Sequence, residues 1–206
     1  WINNADNQNY WDRWKIEDFH HHVTIPTYHL GGWYDLFITG TLRNFTGLKN
    51  GNRAPQKLLI GPWAHTSPLA NPIGELDFGG NSSAQDIDLD GIQLRWFDRW
   101  LNGIDNGIMQ ESTVSIFVMG ENTWRNEDDW PLHHAVETYY YLHSKGNANG
   151  KNGDGSLDTR PPGEEASDRF KYDPEYPVPT LGGDLCCNPV FLASGPYDQQ
   201  ILEDRI

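Results

Sequence analysis

The chain contains 206 residues with a formal net charge of −14 at pH 7, and 13% of its residues are aromatic. A chain of this length and composition can bury a substantial core, so we expect it to fold rather than to form a disordered acidic tail. The fifteen Lys and Arg residues form no cluster, which argues against nucleic-acid binding because phosphate contacts require grouped cations, and no apolar stretch is long enough to span a membrane.

The N-terminal residues and the two cysteines bear on the cellular compartment and on the state of the thiols. The first residues lack the basic and apolar regions of a signal peptide, and the chain does not start with Met, so we expect a piece of a longer soluble protein, either cytoplasmic or exported. A homo-oligomer is compatible with this composition. Cys186 and Cys187 are adjacent. Because vicinal disulfides are rare, we expect two free thiols, and no metal site built on spaced cysteines.

The first part of the chain alternates between short apolar runs and a helical pattern. The predicted elements, in order, are a strand at 24–30, a loop at Gly31–Asp35, a helix at 36–48, a strand at 57–60 and a loop at Gly61–His65. This alternation predicts parallel strands joined by a crossover helix.

The later part of the chain changes to a β-type pattern. A polar loop at 66–85 precedes a helix at 86–102, whose early Asp residues suit a helix N-terminus better than a calcium loop because the closing Glu of that loop is missing. Beyond it, the apolar runs at 114–120 and 137–142 are separated by loops rich in Gly, Asn and Pro. We therefore predict an α/β domain at residues 1–110, with a boundary near 105–112, followed by an incomplete β-sandwich at 111–206.

Asp35 and His65 each follow one of the predicted buried strands. The carboxyl ends of neighbouring parallel strands lie at one edge of a sheet, where catalytic groups collect. A carboxylate there can fix the tautomer of an imidazole that removes a proton from a nucleophile, and the order Asp then His is that of the α/β-hydrolases, whose serine comes earlier. From these two residues alone, an ordinary surface or structural Asp–His pair is the more common alternative.

The residues around this pair resemble the acid and base motifs of the cocaine-esterase-like (CocE/NonD) hydrolases, a family that includes the X-prolyl dipeptidyl peptidases, glutaryl acylases and α-amino-acid ester hydrolases. The similar segments are GGWYD at 31–35, LIGPWAH at 59–65, RWFDRWLNG at 95–103, VMGENTWR at 118–125 with Trp130-Pro131, and GPYDQQ at 195–200. The likeness therefore extends over nearly the whole chain, in the order of the family.

The resemblance implies the C-terminal half of an α/β-hydrolase domain followed by part of a jelly-roll β-sandwich. It also implies a serine hydrolase that forms an acyl-enzyme on esters or amides and uses no metal or organic cofactor. Asp35 would be the orienting acid and His65 the general base. Four aromatic residues become candidates for the wall of the substrate pocket, with packing preferred for the first two: Trp33, Tyr34, Phe37 and Trp63.

The sequence departs from the family pattern at the nucleophile. The nearest G-x-S-x-G-like segment, at 80–84, follows His65 and has no strand before it, so it is not predicted to be the nucleophile elbow. We expect the serine and the oxyanion hole upstream of Trp1, in a further N-terminal part of the same protein, and the chain alone to be inactive. The apolar segment Leu36–Ile38 stands where the amino-acid ester hydrolases carry extra carboxylates, which favours a neutral or apolar acyl group.

Two alternatives stay open beside a small-molecule ester or amide hydrolase. One is an X-Pro dipeptidyl peptidase, and the other is a non-catalytic β-sandwich binding module with a vestigial hydrolase segment. The catalytic hypothesis predicts that the side chains of Asp35 and His65 lie within hydrogen-bond reach. A separation above about 5 Å would count against it.

Overall fold

The computed structural model describes residues 1–51, 54–65, 70–188 and 190–203. The α-helices are α1 (Gln8–Asp12), α2 (Ile38–Asn50), α3 (Leu89–Leu101) and α4 (Gln200–Glu203), and 3₁₀ turns lie at Ile2–Asn4, Glu17–His22 and Ile108–Gln110. The strands are β1 (Thr27–Tyr34), β2 (Gln56–Ala64), β3 (Val114–Val118), β4 (Thr123–Glu127), β5 (Tyr141–His143) and β6 (Ser156–Asp158). None of the helices in these ranges has the length and hydropathy needed to cross a bilayer.

A four-stranded sheet in the order β1-β2-β3-β4 forms the centre of the fold, and β5 and β6 pair separately. β1 and β2 are parallel, β2 and β3 are parallel, and β3 and β4 are antiparallel. The helix α2 connects β1 to β2, which confirms the predicted strand–helix–strand unit and a mixed α/β architecture.

The two strands that precede Asp35 and His65 are longer than the sequence predicts. The segments Gly31–Tyr34 and Gly61–Ala64 belong to β1 and β2, where the sequence predicts loops. The interstrand pairing continues to Tyr34 opposite Ala64, with a register shift between Gly32 and Tyr34. A Cβ on Gly32 would collide with the backbone oxygen of Trp63, so glycine permits the close approach of the two chains at this point.

Both faces of β2 are covered, and all nine of its residues are buried. On one face, Leu58 and Ile60 pack with Phe45 of α2. On the other face, Leu59 and Trp63 pack against side chains that include residues at the start of α3. Burial on both sides explains why this strand is a continuous apolar run rather than an alternating one.

The sheet continues across the domain boundary predicted near 105–112, because β3 pairs with β2 through Leu58–Ile60 opposite Val114–Ile116. The second predicted β run is shorter than expected, since only Tyr141–His143 of this region is a strand. The division into two domains and the jelly-roll arrangement of the second remain predictions.

The helix predicted at 86–102 spans Leu89–Leu101, and its early acidic residues have structural roles. The side chain of Asp88 caps the helix by accepting from the backbone N–H of Gly91 at 3.2 Å. Asp86 accepts from the hydroxyl of Ser83 at 2.7 Å. These contacts agree with the helix N-terminus that the sequence favours at this position.

The cysteines differ from expectation. Cys186 and Cys187 form a vicinal disulfide, which corrects the prediction of two free thiols. The backbone of Cys187 has a φ of 76°, in the left-handed region, within a segment closed by the bridge between Gly183 and Gly195.

The core around Phe45 is expected to dominate the stability of the sheet. Phe45 is fully buried, and Phe45→Ala should lower the free energy of unfolding by about 3–5 kcal/mol because it removes the ring and leaves a cavity. Urea denaturation followed by circular dichroism measures the change. Phe170→Ala, at a site that is 72% exposed, is the matched control and should change stability by less than about 0.5 kcal/mol. Equal losses in both variants would contradict this placement of the core.

A buried histidine should make stability depend on pH. His29 lies 2.8 Å from the side-chain oxygen of Gln56, and burial lowers its pKa. As the pH falls, the unfolded chain binds a proton at His29 before the folded chain does. The free energy of unfolding should therefore decrease as the pH is lowered below about 6.5. We expect the slope of unfolding free energy between about pH 5 and 6.5 to be smaller in His29→Gln than in wild type. The exposed His134→Gln control should keep the wild-type slope, and an unchanged slope in His29→Gln would contradict the expectation.

Candidate active site

Asp35 and His65 meet at the carboxyl edge of the sheet. Tyr34 and Ala64 are paired across β1 and β2, so the residues that follow them leave the two strands side by side. The Nδ1 atom of His65 lies 3.1 Å from Oδ2 of Asp35. This distance confirms the predicted hydrogen-bond reach, and the catalytic roles of the two residues remain a prediction.

The carboxylate of Asp35 is held from two sides. Its Oδ1 atom accepts the backbone N–H of Phe37 at 2.8 Å, and its Oδ2 faces His65. A carboxylate can only accept, so the proton of the neutral imidazole lies on Nδ1 and leaves Nε2 as an acceptor. Among the residues that the structure describes, none forms a hydrogen bond with Nε2 of His65.

The exposure of the pair suits proton transfer. The side chain of Asp35 is 18% exposed and that of His65 is 37% exposed. The acid is therefore shielded while the imidazole is open to a reacting group. A shielded carboxylate that orients an accessible imidazole is the arrangement of acid and base in a hydrolytic triad.

The four aromatic candidates for the pocket wall occupy different environments. Trp33 donates from Nε1 to the backbone oxygen of Phe117 at 2.7 Å, and Trp63 is buried with its Nε1 donating to the oxygen of Ser82. Tyr34 is half-buried, and that burial raises its pKa. Phe37 is 56% exposed, and its ring centroid lies 5.0 Å from that of His65. Phe37 is thus the member of the four whose ring contacts the Asp35–His65 pair.

The serines of the segment at 80–84 are not available as nucleophiles in this structure. Ser82 and Ser83 are both buried. The hydroxyl of Ser82 donates to the backbone oxygen of Gly79 at 2.6 Å, and that of Ser83 donates to Asp86. These contacts agree with the sequence argument that this segment is not a nucleophile elbow.

Sequence reasoning missed a histidine–carboxylate pair in the later part of the chain. Nδ1 of His143 lies 2.6 Å from Glu165, and its Nε2 lies 2.9 Å from the backbone oxygen of Arg160. The bond to Glu165 raises the pKa of His143, and two acceptors favour a ring that is protonated on both nitrogens. Such a ring has no free nitrogen with which to accept a proton. His65 differs from it because Nε2 is unoccupied by the described residues.

Sequence reasoning also missed the part that Phe37 plays at the acid. The sequence marks Phe37 only as a pocket candidate, whereas the structure shows its backbone N–H on the carboxylate and its ring on the imidazole. Its position two residues after Asp35, just before α2, is the signal that could have found the backbone contact, because an Asp side chain readily accepts the N–H two residues later.

Two family models match the chain. The model described as X-Pro dipeptidyl-peptidase (S15 family) matches residues 1–67, which include Asp35 and His65, and the model described as X-Pro dipeptidyl-peptidase C-terminal non-catalytic domain matches residues 106–183. A cocaine esterase from Rhodococcus sp. (strain MB1 Bresler) is 33% identical over 204 residues, which are 99% of this chain and 35% of the esterase. The chain belongs to the superfamily of X-Pro dipeptidyl-peptidases and CocE/NonD hydrolases.

A solved structure supports the fold independently. The crystal structure of an aminopeptidase from a marine sediment archaeon, Thaumarchaeota archaeon, superposes with a TM-score of 0.63 at 23% identity, over 82% of this chain and 27% of that protein. This likeness bears on the fold alone. The esterase and the aminopeptidase are both much longer than this chain, which spans 35% and 27% of them.

The hydrogen bond between Asp35 and His65 should set the tautomer of the imidazole. In wild type we expect neutral His65 to carry its proton on Nδ1. In Asp35→Asn the amide can donate to Nδ1, which shifts the proton to Nε2. Long-range ¹H–¹⁵N correlation spectra of the histidine side chains distinguish the two forms, and His65→Gln identifies the signals.

Asp129→Asn is the matched control for this experiment, because Asp129 is the carboxylate partner of the exposed His133. It should leave the His65 signals unchanged. A His65 ring that keeps the same tautomer in Asp35→Asn would show that Asp35 does not orient it.

Proposed function

We propose that this chain supplies the acid and the base of a serine hydrolase that cleaves carboxylic esters or amides through an acyl-enzyme. The observation that carries the proposal is the 3.1 Å contact between His65 Nδ1 and Asp35 at the carboxyl edge of two parallel strands. The accessible imidazole, and an Nε2 that none of the described residues binds, support the same role. The nucleophilic serine and the oxyanion hole are proposed to come from a further N-terminal part of the same protein.

The proposed reaction has two halves. In the first, Nε2 of His65 takes the proton of the serine hydroxyl while the serine oxygen bonds to the substrate carbonyl, and the protonated imidazole then gives that proton to the leaving alcohol or amine as its bond to carbon breaks. In the second, Nε2 takes a proton from water as the water oxygen bonds to the acyl carbon. The imidazolium then gives that proton to the serine oxygen as the bond between serine and the acyl carbon breaks, which releases the carboxylic acid and restores the serine. Asp35 stabilises the imidazolium in both halves without taking its proton.

The surroundings of the acid favour a neutral or apolar acyl group. Leu36 and Phe37, which follow Asp35, are 39% and 56% exposed. Exposed apolar side chains beside a reacting group suit an uncharged substrate, because no carboxylate in this segment could balance an ammonium group. Among the four wall candidates, the exposed ring of Phe37 is best placed to meet a substrate. Trp33 and Trp63 pack inside the fold.

An X-Pro dipeptidyl peptidase is the second candidate function. The observation that favours it is that both matching family models carry that description. The two candidates share the acid and the base and differ in whether the site must also bind a free amino terminus.

Activity of the complete protein should depend on the pair. We expect His65→Gln and Asp35→Asn each to lower kcat/KM for p-nitrophenyl butyrate by on the order of 10⁴, because each removes a member of the acid–base unit. A fluorophosphonate probe should label a serine outside residues 1–206, and more slowly in His65→Gln. The control His134→Gln, at an exposed ring, should retain wild-type activity.

Hydrolysis of Ala-Pro-p-nitroanilide in the same assays separates the candidates. Faster turnover of the ester selects the esterase, and faster turnover of the anilide selects the peptidase. Wild-type kcat/KM in His65→Gln for both substrates would overturn the proposed function.

A further inference from the structure

Phe37 touches both members of the Asp35–His65 pair through different parts of the residue. Its backbone N–H donates to Oδ1 of Asp35 at 2.8 Å. Its ring lies against that of His65 with the centroids 5.0 Å apart and the planes at 75°, an edge-to-face contact. One residue therefore contacts the carboxylate from one side and the imidazole from another.

We propose that Phe37 is a positioning residue that fixes the relative orientation of Asp35 and His65, and so directs Nε2 of His65 toward the nucleophile. The inference rests on the proposed function for its catalytic meaning, and on the contacts of this chain for its geometry. It differs from the role of a pocket wall, because a positioning residue acts on the base whether or not a substrate is present.

The backbone of Phe37 is itself anchored. Its carbonyl oxygen accepts from the backbone N–H of Thr41 at 3.0 Å and from the hydroxyl of Thr41 at 3.3 Å. Phe37 stands at the N-cap of α2, and the backbone N–H of Ile38 donates to the backbone oxygen of Asp35 at 3.0 Å. The N–H that holds the carboxylate is thus fixed to a helix that packs on the sheet through Phe45.

The ring of Phe37 has no strong role in the core. It is 56% exposed, and it belongs to none of the clusters of buried side chains in the described part of the chain. Edge-to-face aromatic pairs stabilise one relative orientation of the rings. The His65 side chain is 37% exposed. Among the described residues, two contacts restrain its orientation, the hydrogen bond to Asp35 and the edge-to-face contact with the ring of Phe37. Loss of the ring should therefore loosen His65 without unfolding the chain.

The first test uses the 206-residue chain without substrate. In Phe37→Ala and Phe37→Leu, the Nδ1 proton of His65 should exchange with solvent about two- to tenfold faster than in wild type, the range expected for an aromatic pair. Phe37→Tyr keeps the ring and should restore the wild-type rate. Phe97→Ala is the matched control, since Phe97 is 55% exposed on α3, and it should leave the His65 signals unchanged. Urea denaturation should give similar stability for all these variants.

The second test measures kcat and KM of the complete protein on p-nitrophenyl acetate, butyrate and octanoate. A positioning role predicts that Phe37→Ala and Phe37→Leu lower kcat by about two- to tenfold for all three esters, with little change in KM, and that Phe37→Tyr rescues it. A loss confined to the longer esters and to KM, with unchanged exchange of the Nδ1 proton, would make Phe37 a pocket wall and overturn the positioning role.

The two tests also separate this inference from the proposed function. If His65→Gln retains full activity, the proposed function fails, and proton exchange in the Phe37 variants then decides alone whether the ring orients His65. Wild-type exchange in Phe37→Ala would overturn the inference even if His65 proves to be the base.

Discussion

The candidate site depends on one constraint, the parallel pairing of β1 with β2 up to Tyr34 opposite Ala64. Each strand carries one member of the pair at its end, so the separation of Asp35 and His65 is set by the spacing of neighbouring strands. A shift of one residue in this pairing would move one member by about 3.3 Å along its strand relative to the other and break the contact. The glycine at position 32 matters for this reason, since a side chain there would collide with the backbone of β2.

Burial on both faces of β2 makes that constraint rigid. Phe45 and Ile60 fill one side, and Leu59 and Trp63 fill the other, so β2 cannot tilt without disturbing a core on either face. The site itself is much less buried than the strands that carry it. Rigid strands that end in accessible polar side chains hold reacting groups in place while leaving them open to a substrate.

Part of this arrangement could be predicted from the sequence, and the limits have physical causes. Apolar runs and the helical pattern predict β1, α2 and β2, and the motifs around Asp35 and His65 predict their approach. Gly31-Gly32 and Gly61-Pro62 favour loops, so the ends of both strands are predicted too short. Pairing between distant segments, which extends both strands, is a tertiary property that local sequence does not show. The same limit explains why the sequence does not predict that β3 joins the sheet of β2, since this pairing crosses a change in composition. The disulfide between the adjacent Cys186 and Cys187 is a further feature that composition and spacing do not show.

A histidine beside a carboxylate does not by itself identify a general base, and a comparison of His65 with His143 shows why. His143 has an acceptor at each nitrogen, Glu165 at one and the backbone oxygen of Arg160 at the other. Its ring therefore links two segments of the chain through hydrogen bonds. His65 has a carboxylate on Nδ1 and no described partner on Nε2. The carboxylate then fixes the tautomer in which the available nitrogen, Nε2, is the acceptor. An Nε2 that no described residue binds therefore distinguishes His65 from His143. The place of His65 and Asp35 at the carboxyl edge of β1 and β2 distinguishes them from the surface pair of His133 and Asp129, and together these features assign the catalytic hypothesis to His65.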